Sequence, residues 1–273
     1  MDKRIKFICS LTFVLILSHA TTSGYAQTTG NNFVPQSGQA GKDVVWVPTP
    51  QGLVDAMLKM ANVTPADYVI DLGSGDGRLV ITAAKLGATA LGIEYNPDMV
   101  ELAIRTSIEE GTSERAKFEK ADLFESDFSK ATVITMFLLP EINLRLRPKI
   151  LDMKPGTRIV SNSFNMYDWE PDQTTRLTEL DSHWATAYLW IVPAKVNGTW
   201  EFEGGQIKFI QTFQNISGTL TMGNVVTEFT GELNGDKISF NAGDTEFAGI
   251  VSGNTISGTH AGGDSWSMQF LHH

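Results

Sequence analysis

Val69-Ile70-Asp71-Leu72-Gly73-Ser74-Gly75-Asp76-Gly77 decides the fold. An apolar strand delivers Asp71 into a loop with glycine at every second position, Gly73, Gly75 and Gly77, with Ser74 between the first two. Glycine serves where the backbone needs positive φ or where a ligand must approach it closely. The loop opens into a helix at Arg78, whose first amides favour a negative group. Outward from this unit the pattern alternates strand and helix. Thr89–Glu94 reads as a second strand and Asp98–Glu110 as a helix capped by Asn96, with Pro97 at its first position. Strands follow at Lys117–Glu119, Thr132–Leu138, Arg158–Asn162, Arg176–Leu180 and Thr186–Val192, with a helix at Glu141–Leu151. Upstream, Thr49-Pro50 reads as a helix start, Thr49 serving as cap. This is an α/β, Rossmann-like domain over 44–193, with a seven-stranded, mostly parallel sheet.

Three acids stand just past strand ends, on the edge where open α/β sheets bind ligands. Asp71 is placed to accept from a ligand ammonium group. Glu94, followed by Tyr95, is placed to accept from two ribose hydroxyls. Asp122 is placed to accept from an adenine amino group, with Leu123 packing on the ring. A dinucleotide site favours G-x-G-x-x-G, whereas this loop runs G-x-G-x-G with Asp two positions before it. The combination points to S-adenosylmethionine (SAM) as cofactor, its carboxylate at the helix N-terminus.

The same chain resembles bacterial SAM-dependent methyltransferases related to the protein-lysine methyltransferases of the ATP synthase c-subunit and the adenine nucleotide carrier. The resemblance runs through Val47-Pro48-Thr49-Pro50, Asp71 to Arg78, Gly92-Ile93-Glu94-Tyr95-Asn96-Pro97, Leu138-Leu139-Pro140 and Pro155-Gly156-Thr157-Arg158. It covers a little over half the chain. It implies methyl transfer to a protein lysine, or to a small-molecule acceptor, with Val47, Pro48 and Thr49 helping to close the site. Leu139, Pro140 and Asn162 are further acceptor-side candidates, and Ser163, Asp168 and Trp169 follow the fifth strand toward the same side. Phe137-Leu138-Leu139-Pro140 is apolar and names no base, so no catalytic residue is assigned. No His/Cys/Asp cluster has metal-ligand spacing.

From Asn197 the texture changes to short alternating runs punctuated by glycine, with Asn234-Gly235 as a hairpin turn. About eight strands over 197–273 imply a small antiparallel β barrel or sandwich. At the other end, Lys3, Arg4 and Lys6 precede an apolar run, Phe7–Leu17, and Gly24-Tyr25-Ala26 reads as a cleavage site. Residues 1–26 are therefore expected to be a signal peptide and 27–43 a flexible linker, giving an exported, periplasmic or extracellular protein, or an anchored one if the signal is retained. The one cysteine, Cys9, lies in that leader, so the exported chain has no disulfide or thiol chemistry. The net charge of −10 argues against nucleic acid as partner. A membrane-protein or envelope substrate fits export. Two other functions stay open: an exported, non-catalytic module that binds a nucleotide or a partner, and a nicotinamide-dependent oxidoreductase, which would need a different glycine spacing.

Overall fold

The computed structural model describes residues 33–179, 183–259 and 264–271. The leader, with Cys9, lies outside the described residues, as do Leu180 and His260. Helix α1 spans Gln51–Met60, β1 Tyr68–Leu72, α2 Arg78–Lys85, β2 Thr89–Glu94, α3 Pro97–Glu109, β3 Ala116–Lys120, β4 Val133–Met136, α4 Pro140–Leu151, β5 Arg158–Asn162, β6 Gln173–Arg176 and β7 Thr186–Ile191. The sheet order is β3-β2-β1-β4-β5-β7-β6. The first five are mutually parallel, and β7 runs antiparallel to both β5 and β6.

Strand residues alternate between faces. Val69, Ala90, Val133 and Val160 pack under α1 and α2, while Ile70, Leu72, Ile134 and Met136 pack under α4. Both faces are covered, which is why the central strands are mostly apolar, with Asp71 and Thr135 paired where they interrupt the run. β4 is buried at every position.

Two expected details differ. Thr49 does not cap α1: the cap is Pro50, and no side chain bonds the first amides. The Thr49 hydroxyl instead accepts from Asn162 Nδ2 at 3.1 Å. β6 lies earlier than the expected Arg176–Leu180, because pairing of Gln173 with Leu189 and of Arg176 with Thr186 fixes its register. Its residues Gln173-Thr174-Thr175-Arg176 are mostly exposed at the sheet edge, so they carry no apolar alternation to read.

Eight antiparallel strands follow: β8 Gly198–Phe202, β9 Gly205–Thr212, β10 Asn215–Met222, β11 Val225–Asn234, β12 Lys237–Ala242, β13 Thr245–Ser252, β14 Thr255–Thr259 and β15 Ser265–Phe270. They close into a barrel through β15 and β8. Rings fill the interior. Phe240 stacks on Phe247 at 4.7 Å, and Phe209 meets Phe229 and Phe240 edge-on. An eight-stranded barrel has an interior about wide enough for side chains alone, and here they occupy it.

Candidate functional site

The glycine loop is held from two sides. Gly73 and Ser74 amides donate to Ile93 O at 2.9 and 3.1 Å, and Gly75 N donates to Glu94 Oε2 at 3.0 Å. Glu94 Oε1 accepts from Asn96 N at 2.8 Å. Glu94 thus ties the loop to the end of β2 while each carboxylate oxygen keeps a second lone pair. Two glycines are required by space. Gly75 has φ +53°, and a Cβ there would lie 2.5 Å from Trp46 Nε1. At Gly92, a Cβ would lie 2.5 Å from Ser74 Oγ, so the bare backbone of β2 admits the loop.

Asp71 is buried opposite Thr135, whose hydroxyl donates to it at 2.7 Å. Burial pushes its carboxyl up to about 7, and the charges of Glu94 and Asp76 add to the rise against the Thr135 bond. Asp76 is itself neutralised by Arg78, whose Nε and Nη2 both reach it, while Arg78 Nη1 donates to Thr49 O at 2.8 Å. Arg78 therefore binds the loop to the segment before α1.

That upstream segment is ordered. Gly38 N donates to Trp46 O, Trp46 N donates to Gln39 O, and Ala40 bridges Val45. Residues 38–43, read as flexible linker, form a strap along the site. Lys42 pairs with Asp122 and stands 4.7 Å from the Tyr95 ring centre. The Asp122 carboxyl is held below its usual range, first by the hydrogen bond from Lys42 and then by Phe124 N.

These pieces surround one cavity of about 530 Å³. It is lined by Asp71, Gly73, Ser74, Gly75, Glu94, Tyr95, Asp122 and Leu123, by Val47, Pro48 and Thr49, and by Leu139. Three expected residues are not brought to it. Gly77 turns the loop into α2 at φ +81°. Pro140 begins α4. Asn162 is fully buried against Thr49 and accepts from Ser163 Oγ. Asp168 pairs with Arg147, and Trp169 is buried with its Nε1 donating to Gln214 Oε1 at 3.0 Å. Both are structural, because the chain after β5 turns toward the barrel. Arg158 holds Asp67 at the far edge of the sheet.

Sequence reasoning missed Phe137, Phe164 and Trp184, which also line the cavity. They come from three separate segments, and no spacing within any one of them marks the rings as a group. Ser74 Oγ is buried against Gly92 of β2, with no hydrogen-bond partner among the described residues. Among the described residues, no three His, Cys, Asp or Glu side chains group as metal ligands.

Similarity to known proteins agrees with this geometry. The family model of the ANTKMT methyltransferase domain matches residues 71–173. A protein-lysine N-methyltransferase of Saccharolobus islandicus is 41% identical over 152 residues, which cover 55% of this chain and 94% of that protein. The chain belongs to this methyltransferase family. The ATP synthase C-subunit lysine N-methyltransferase of Homo sapiens is 34% identical over 141 residues, covering 51% of this chain and 60% of the human protein. A solved structure described as an RNA methyltransferase from Salinibacter ruber, in complex with S-adenosyl-L-homocysteine, is 44% identical. It has a TM-score of 0.52 and covers 55% of this chain and 96% of its own. Members of the family are SAM-dependent, which sets aside a nicotinamide cofactor. The barrel lies beyond the residues that the family model matches.

Proposed function

We propose that this family member holds SAM in the 530 Å³ cavity and methylates a protein lysine. One observation carries the reading: Asp71, the glycine loop, Glu94 and Asp122 line a single cavity at the carboxyl edge of the sheet. In this reading Asp71 takes the donor's ammonium, the side-chain-free bend at Gly73 and Gly75 lets its methionine part approach the backbone, Glu94 takes the ribose hydroxyls and Asp122 the adenine amino group. The residues fit that group: a bend that a Cβ would fill at Gly75, and three acids in strand order. When bound, SAM supplies a methyl carbon already activated by its sulfonium.

The chain's own work is then alignment and exclusion of water. The strap and Trp46 cover the loop side. Leu138, Leu139 and the three rings wall the acceptor side. The free amine is the attacking form, so a lysine held at this wall must give up its proton, from an ordinary pKa of about 10.4, before transfer. The acidic chain, at −10, suits a basic acceptor. With residues 1–26 as an export signal, the acceptor would be a protein of the cell envelope.

Incubation with methyl-labelled SAM and a mixture of envelope protein and total RNA tests the reading. Label recovered as methyl-lysine after acid hydrolysis is the expected result. Label confined to RNA, or no transfer, contradicts it.

A further inference from the structure

We infer that Phe137, Phe164 and Trp184 form the subsite that recognises the target amine as a cation. The inference rests on the methyltransferase reading above and assigns the acceptor half of that cavity.

Sheet order divides the cavity. Asp71 lies near the end of β1, Glu94 ends β2 and Asp122 follows β3, and these three strands are consecutive neighbours on one side. Phe137 follows β4, Phe164 follows β5, and Trp184 precedes the antiparallel β7, so all three reach the same edge from the other side. The acids therefore occupy one half and the rings the other. The ring centres lie 5.9 Å apart for Phe137–Phe164, 5.5 Å for Phe137–Trp184 and 5.5 Å for Phe164–Trp184. All three are partly exposed, and all three line the cavity.

Phe164 is held in place. Ser163, at φ +60°, turns the chain after β5, and Phe164 N donates to Asn162 O at 2.7 Å. Asn143, fully buried on α4, donates through Nδ2 to Phe164 O at 3.4 Å and to Asn165 O at 3.2 Å. Arg147, one turn on, donates to Met166 O at 2.9 Å. Asn143 is thus a positioning residue for the ring, and rigid support of this kind is what a recognition site needs.

Ring faces attract an ammonium group through their quadrupoles, and a methylated ammonium suits them because it needs no hydrogen-bond acceptor. The ring planes are inclined, Trp184 at 62° and 49° to its two neighbours and Phe137 at 25° to Phe164, so they do not form a parallel slot around one flat base. The net charge of −10 also opposes a phosphate backbone.

The test uses the full chain saturated with S-adenosylhomocysteine and two probes of equal shape, choline and its uncharged carbon isostere 3,3-dimethylbutan-1-ol. Calorimetry should find choline bound roughly 5- to 30-fold more tightly. Phe137→Leu and Phe164→Leu should each erase most of that preference while leaving affinity for S-adenosylhomocysteine within twofold, and Trp184→Phe should retain it. Equal affinity for the two probes in the native chain overturns the inference without any variant. A choline preference without methyl transfer to lysine would overturn the proposed function and leave the subsite standing. Transfer to RNA that fails in the ring variants would overturn the subsite as an amine site.

Discussion

Asp71 carries a charge-state consequence of its own. In the folded chain it keeps its proton up to about pH 7, against 3.8 for an ordinary aspartate. Between those values folding takes up a proton, so this contribution to stability is complete below about pH 4 and is lost as pH rises through 7. Asp71→Asn, neutral at every pH, should therefore melt several degrees above the native chain at pH 8, on the order of 4 kcal/mol, and with it at pH 4. Thermal unfolding at the two pH values checks this. Gly75 gives a second residue-scale outcome. Its φ of +53° and the 2.5 Å approach of Trp46 to a Cβ predict that Gly75→Ala loses at least tenfold in SAM affinity. Trp46→Ala in the same chain should recover part of it, since the clash goes while the φ strain stays. Both effects are read by calorimetric titration.

At the scale of elements, the strap over residues 38–46 places a cation against the acid proposed to read adenine. Lys42 therefore competes with the ligand. Lys42→Met should tighten SAM binding two- to fivefold at low ionic strength, with the gain shrinking as salt rises, because the pair is partly exposed. Titrations at 20 and 500 mM salt decide it. This element was hidden in the sequence. Its Gln and Gly content looks like a linker, and its order comes from contacts with the glycine loop and α3, where Gln39 Nε2 reaches Met99 Sδ. The loop itself was legible. An apolar strand, alternating glycines and a helix start are local signals, as are Asn96 and Pro97 at the start of α3. The edge strand β6 was displaced because pairing, rather than its own polar residues, sets its position. The rings of the acceptor wall were invisible for a related reason: they meet only once β4, β5 and β7 lie side by side.

For the molecule as a whole, the eight barrel strands could be read from alternation and turn glycines. Barrel rather than sandwich could not, because closure depends on the distant pair β15 and β8. The barrel is joined to the α/β layer by a specific contact. Trp169 stacks on Phe213 at 5.6 Å, donates to Gln214 Oε1, and accepts through its carbonyl from Trp190 Nε1. Gln214 Nε2 returns a bond to Glu170 O at 2.9 Å. Gln214→Ala should cost about 1–3 kcal/mol by leaving the Trp169 indole without its acceptor, and Trp169→Ala about 3–5 kcal/mol. Urea unfolding followed by tryptophan fluorescence should give one transition for the native chain. Two separated transitions would show that this contact does not couple the parts.

The convergence of strand-end acids on one donor is tested most directly by titrating S-adenosylhomocysteine into the native chain and into Glu94→Ala. The account predicts one site per chain in the native protein and at least a tenfold loss of affinity in the variant, with its melting temperature within a few degrees of native. Equal affinity in the two proteins would contradict it.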